Sequence, residues 1–149
     1  RRGVEIWSGL ARGVDQAAHL AALEAEGRTC AVLGAGLLRP YPAGSEALIR
    51  RIAERGTALS EYPPTFHARR HFFPRRNALL AAIARDVLVV QAAERSGSLL
   101  TAWMALELGG TVLAVPDRID EPLARGVLEL LREGAVPVGS AADIAESLG

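Results

Sequence analysis

The sequence predicts an α/β fold built as a doubly wound, mostly parallel sheet flanked by helices. Three observations predict it. Short β-rich runs alternate with helical patterns along all 149 residues. Two of those runs, Cys30-Ala-Val-Leu33 and Val87-Leu-Val-Val90, are continuously apolar, as expected of strands covered on both faces. Glycines 27, 56, 109, 110 and 134 follow the helical segments, where a left-handed residue closes a helix.

Taken in order, the expected strands are Val4–Ser8, Thr29–Leu33, Thr57–Ser60, Val87–Gln91, Thr111–Val115 and a short Val136–Val138. The expected helices are Asp15–Glu26, Ser45–Arg55, Asn77–Ala84, Leu99–Leu108, Arg125–Glu133 and Ala141–Leu148. Repeating β-α units of this kind form parallel sheets through right-handed crossovers. No internal repeat or low-complexity linker interrupts them, so residues 1–149 read as one domain. A glycine-led strand opens the chain almost at once, where such sheets usually have another βα unit before it.

A chain of this length buries roughly 70% of its unfolded surface. Half of its residues are hydrophobic, 23% charged and 5% aromatic, the profile of an ordinary soluble globular protein. No apolar run approaches the ~20 residues that span a bilayer, so no membrane contact is expected. The single cysteine, Cys30, reads as a buried strand residue, and a cytoplasmic location follows by default. Three histidines give no metal-ligand spacing, and no metal or other cofactor is expected. The chain has no lysine, which excludes a Walker P-loop and every Schiff-base mechanism. Phosphate contacts must therefore use guanidinium groups, backbone amides or hydroxyls.

Positive charge is concentrated. From Tyr62 to Arg85 there is no acidic side chain, and His67–Asn77 holds Arg69, Arg70, Arg75 and Arg76 with Phe72 and Phe73. Formal net charge is zero overall, so the rest of the chain is net acidic. A basic patch with aromatic rings suits a polyanion that carries stackable bases. A solvated loop is the plain alternative. Against it, Phe72, Phe73 and Pro74 would be costly to expose, and arginines at a helix start oppose the dipole unless an anion relieves them.

In an open parallel sheet, ligands bind at the carboxyl ends of the strands. Four loops leave those ends. Ser8-Gly-Leu-Ala-Arg-Gly13 offers Ser8, Gly9 and Gly13 beside Arg12, whose alternative is a surface salt bridge. Gly34-Ala-Gly36 is a weak dinucleotide signal, lacking a third glycine and an acidic ribose partner. Ser60-Glu-Tyr-Pro-Pro64 leads into the basic block. Ala93–Ser98 is the most phosphate-like: Ser96, Ser98 and free first-turn amides can donate to an anion, with Gly97 allowing close approach. There the alternative is an N-cap at Ser98 and a turn at Gly97. Asp15 and His19 lie four apart on one helix face and read as a cap and a packed imidazole, or as a catalytic pair.

In this order the segments resemble the DNA-processing protein A family, also called DprA or Smf. The matching stretches are Ser8-Gly-Leu-Ala-Arg-Gly-Val-Asp15 with His19, Val32-Leu-Gly-Ala-Gly-Leu37 with Tyr41-Pro42, and Ser60-Glu-Tyr-Pro-Pro64. Phe73-Pro-Arg-Arg-Asn77, Glu94–Ala102 and Val112-Leu-Ala-Val-Pro116 complete the set, which covers nearly the whole chain. The resemblance implies an extended Rossmann-like domain, without enzymatic activity. It implies a homodimer that binds single-stranded DNA, duplex more weakly, and helps load RecA in natural transformation. Arg12, Phe73, Arg75, Asn77 and Ser96-Gly97-Ser98 would line its pocket, holding phosphates and a base. Arg69, Arg70 and Arg76 add charge, while Ser8, Gly9, Gly13, Gly34, Gly36 and Thr101 would form the phosphate-facing loops. On this reading the basic block is one wall of a pocket that faces Arg12 and the Ser96–Ser98 loop.

Some positions depart from the family pattern. Ala43 stands where relatives often have lysine, so that phosphate contact is either missing or supplied by Arg39. Asp117-Arg118 replaces an expected Gly-Ser, and Val127-Leu128 replaces a polar pair. Ala78, Ala82 and Ala84 also differ from the usual run. The family's first strand, with its Gly-Ser-Arg turn, has no counterpart in these residues, nor do its accessory domains. The runner-up reading is a nucleotide-binding phosphoribohydrolase-like enzyme on a related fold. Its motif places a glutamate three residues after Thr101, where this chain has Met104. A serine hydrolase is remoter, because no Gly-x-Ser-x-Gly elbow occurs. An interaction module whose DNA contact is secondary is the third reading.

Overall fold

The computed structural model describes residues 3–148. It is an α/β structure of parallel sheets flanked by helices, with the elements in the expected order. They are β1 (Ile6–Ser8), α1 (Val14–Glu24), β2 (Thr29–Leu33), α2 (Glu46–Arg55), β3 (Thr57–Ser60) and α3 (Phe72–Ile83). There follow β4 (Asp86–Val89), α4 (Gly97–Glu107), β5 (Thr111–Ala114), α5 (Arg125–Arg132), β6 (Val136–Pro137) and α6 (Ala141–Ser147). A short 3-10 turn at Pro122–Ala124 leads into α5. The six strands pair as two three-stranded sheets, β1-β2-β3 and β4-β5-β6, and every pairing is parallel. The chain divides into two compact units, one running to Arg76 and the other starting at Asn77, so the division falls inside α3.

In the first unit, β2 is buried at all five residues, which explains its unbroken apolar run. Leu10, Leu23, Ala31, Leu33 and Ile52 form the core, with Leu48 and Ile49 of α2 packed against it. Spacing of 48, 49 and 52 puts one apolar face of α2 inward, and Ile52 is fully buried. His19 is buried as well. Its Nδ1 lies 2.6 Å from Thr29 Oγ1, whose hydroxyl donates to Ile6 O at 2.9 Å. The hydroxyl proton being committed, Nδ1 donates; burial favours the neutral imidazole by pushing its pKa down against the raising effect of Asp15. The packed-imidazole reading therefore holds, and a catalytic pair with Asp15 does not. Cys30 is buried as expected, with Sγ 3.4 Å from Glu5 Oε1.

The second unit is built around small side chains. Ala102 and Ala105 of α4 pack with Val89, Val112, Ala114, Val127 and Leu130. Val127 and Leu130 are fully buried on the inner face of α5, each worth roughly 1.5–3 kcal/mol.

Two helix starts differ from expectation by more than one residue. α3 begins at Phe72, not Asn77, because Pro74 is favourable in a first turn, where no amide acceptor is needed. α4 begins at Gly97, since Ser96 rather than Ser98 is its N-cap. The helix-closing glycines are also partly corrected. Gly109 and Gly134 have positive φ, but at the end of α1 Glu26 takes that conformation instead of Gly27. Gly56 is needed for space: a Cβ there would meet Thr29 O at 1.9 Å.

Candidate functional site

Parallel pairing puts the loops after β1, β2 and β3 at one edge of the first sheet. The β1 loop is pinned from within. Asp15 Oδ2 accepts from Gly9 N at 3.0 Å and from Ala11 N at 3.1 Å. Leu10 takes a positive φ of 65° with its side chain fully buried. Ser8 is half-buried, and Arg12 and Gly13 lie exposed on the outside of the turn.

Arg76 reaches the same loop from α3. It is 7% exposed, and its Nη1 donates to Gly9 O and, at 2.8 Å, to Val32 O. Burial pulls its pKa down while the Asp15 carboxylate opposes that pull. Arg76 was expected among the phosphate contacts. Its guanidinium instead ties two strand ends together, and peptide carbonyls relieve its charge at the helix start. Arg69, Arg70 and Arg75 are exposed, so the basic block splits into one inward and three outward arginines.

Gly9 and Gly36 lie in the loops expected to face phosphate, and both their amides have acceptors within the protein: Asp15 Oδ2 for Gly9 and Phe66 O, at 2.8 Å, for Gly36. Gly36 is a close-approach residue, since a Cβ would sit 2.2 Å from Pro63 O and 2.3 Å from Pro64 O. The β3 loop is fastened to the same place, with Ser60 Oγ donating to Ala35 O at 2.7 Å. At Gly34 the missing side chain makes room for Phe73, whose Cδ1 would lie 2.9 Å from a Cβ.

Two aromatic pairs flank these loops. Phe72 stacks on Tyr62 at 3.8 Å and is buried. Half-buried Phe73 lies 5.4 Å from Tyr41, tilted by 60°, with the Arg76 guanidinium 5.8 Å from its centroid. Tyr41 had no assigned role in the sequence reading beyond its place in a motif. The available signal was an aromatic ring next to a proline in a polar loop.

In the second unit, Asn77 is buried and donates from Nδ2 to Gly97 O at 3.2 Å. Thr101 Oγ1 donates to the same carbonyl at 3.1 Å, so Thr101 braces the turn. Ser96 Oγ accepts from Leu99 N at 3.3 Å. Gly97 and Ser98 are exposed on the first turn, where amides have no intrahelical acceptor. Arg95 before them takes a positive φ, and Glu94 faces Arg125 at 3.7 Å. Among the described residues no group of His, Cys, Asp and Glu could hold a metal ion, and no helix is long and apolar enough to cross a membrane.

Comparison with known proteins finds relatives over nearly the whole chain. The family model described as DNA recombination-mediator protein A matches residues 1–149. The chain is 49% identical over 148 residues to the putative DNA processing protein DprA of Mycobacterium tuberculosis, covering 99% of this chain and 38% of that protein. It superposes on the X-ray structure of DNA processing protein A from Streptococcus pneumoniae with a TM-score of 0.89 and 41% identity, over 96% of this chain and 50% of that one. It also superposes on the Helicobacter pylori protein, whose structure is described as giving insight into a unique single-stranded DNA binding mode. There the TM-score is 0.86 and the identity 32%, over 96% of this chain and 65% of that one. The chain belongs to the DNA recombination-mediator protein A family.

Proposed function

We propose that this chain is a single-stranded DNA-binding module of transformation and recombination, without catalytic activity. One observation carries the reading: an acid-free segment leaves Arg69, Arg70 and Arg75 exposed, its Phe73 pairs with Tyr41, and its Arg76 fastens the neighbouring strand ends from within. Arg12 adds a fourth exposed guanidinium on the pinned β1 loop. These groups suit phosphates, and the rings suit bases. Arg76, Asp15, Gly9, Gly34 and Gly36 serve the interface by holding its backbone. In the second unit, Gly97 and Ser98 supply first-turn amides and a hydroxyl for a phosphate, with Asn77, Ser96 and Thr101 fixing that turn.

Family membership and the Helicobacter pylori relative support the choice of single-stranded DNA. Membership alone extends the reading to a cytoplasmic homodimer that protects the strand and delivers it to RecA. The phosphoribohydrolase-like alternative is weakened at its catalytic position, where Met104 packs against the core of the second unit.

Competition between labelled oligo-dT and a duplex of equal length tests the reading. Tighter binding of the single strand is expected. Preference for duplex, or release of free base from nucleoside monophosphates by the purified protein, would overturn it.

A further inference from the structure

We propose that Tyr41 is a base-stacking residue, and that its outer ring selects unpaired nucleotides; this rests on the single-strand reading above. Tyr41 is 53% exposed, whereas its neighbour Phe73 is half-buried against Gly34. Phe73 therefore acts as a buttress and Tyr41 presents the more accessible aromatic surface of the pair.

The loop that carries the ring is anchored in advance of any ligand. Pro42, next in the chain, is buried, and its carbonyl accepts from Ser45 Oγ at 2.7 Å. Upstream, Arg39 N donates to Gly36 O at 2.9 Å. On the inner side, Phe73 lies 5.4 Å away. A ring carried on an anchored loop and set beside Phe73 loses less freedom when a base settles on it than one on a free loop would. Exposed Arg39 and Arg75 flank the pair in sequence and supply charge for the backbone of the same nucleotide.

Selection follows from geometry. A base inside a duplex has both faces covered by its neighbours, so only an unpaired, unstacked base can lie on Tyr41.

The test compares Tyr41→Phe with Tyr41→Leu, because leucine still covers Phe73 but has no π-face. Each is titrated with oligo-dT and with an abasic oligomer of the same phosphate count, and each is checked by urea denaturation. Tyr41→Phe should bind as the parent does. Tyr41→Leu should lose about 10-fold on oligo-dT, with an unchanged salt slope and unchanged affinity for the abasic oligomer. Undiminished oligo-dT binding by Tyr41→Leu would overturn the stacking role while leaving the single-strand reading intact. Equal losses on both oligomers would mean a structural effect and would also overturn it. Failure of the parent protein to bind oligo-dT would remove both.

Discussion

The loops after β1 and β2 and the loop that opens α4 carry the same kinds of small residue, yet they use them in opposite ways. In the first region the glycines are buried: Gly9 meets Arg76, Gly34 meets Phe73 and Gly36 meets the carbonyls of Pro63 and Pro64. Their absent side chains make room for protein, and the amides of Gly9 and Gly36 are already bonded. In the second region Gly97 and Ser98 lie on the surface, and a Cβ at Gly97 would come no closer than 3.4 Å to Asn77 Nδ2. The same composition therefore builds a rigid frame in one place and an open helix start in the other. A glycine-rich loop is a phosphate site only where its amides are left over.

Substitutions should separate the two regions sharply. The largest effect belongs to Arg76→Ala, which orphans the carbonyls of Gly9 and Val32 and should cost about 3 kcal/mol by urea denaturation. Arg75→Ala, one residue earlier but exposed, should stay within about 0.5 kcal/mol of the parent. Gly36→Ala comes next, at about 2 kcal/mol, because neither proline carbonyl can retreat without moving the β3 loop. Gly97→Ala should change stability by less than about 0.5 kcal/mol. Equal costs at Gly36 and Gly97 would dissolve the distinction between frame and open turn. Smaller again is Ser96→Ala, which removes the α4 cap for about 1 kcal/mol, while Ser98→Ala should leave the melting temperature alone.

The pH dependence sharpens the comparison further, and its effect is the smallest. All three histidines lie in the first unit, and His19 is buried neutral with a lowered pKa. The unfolded chain therefore binds more protons than the folded one once pH falls below the ordinary value of 6.5. Stability should decline as pH drops through that value, until the lowered folded-state pKa is passed. His19→Gln, whose amide can still donate to Thr29, should flatten that decline in denaturation midpoints taken from neutral pH downward.

Much of the fold was legible. β2 and β3 fall on Thr29–Leu33 and Thr57–Ser60 as expected, because an unbroken apolar run and glycine punctuation leave little freedom there. The start of α3 was misplaced because Pro74 looks like a helix breaker and two arginines oppose a helix dipole, whereas in a first turn the proline is compatible and one arginine finds carbonyls. The site was legible as an inventory of residue types but not as a division of labour. Arg75 and Arg76 are adjacent and chemically identical; only the 3.6-residue period and the distant carbonyls of Gly9 and Val32 decide which points inward. Tyr41 gained its place from Phe73, a partner 32 residues away that no local pattern announces.

Salt dependence of oligo-dT binding tests the assignment of the exposed arginines most directly. If Arg12, Arg69, Arg70 and Arg75 each neutralise one phosphate, the log–log slope should be about −2.8, a roughly 50-fold loss between 50 and 200 mM salt. In the Arg12→Ala, Arg75→Ala double variant the slope should fall to about −1.4. An unchanged slope in that variant, with the fold intact, would contradict the placement of the DNA backbone on this face.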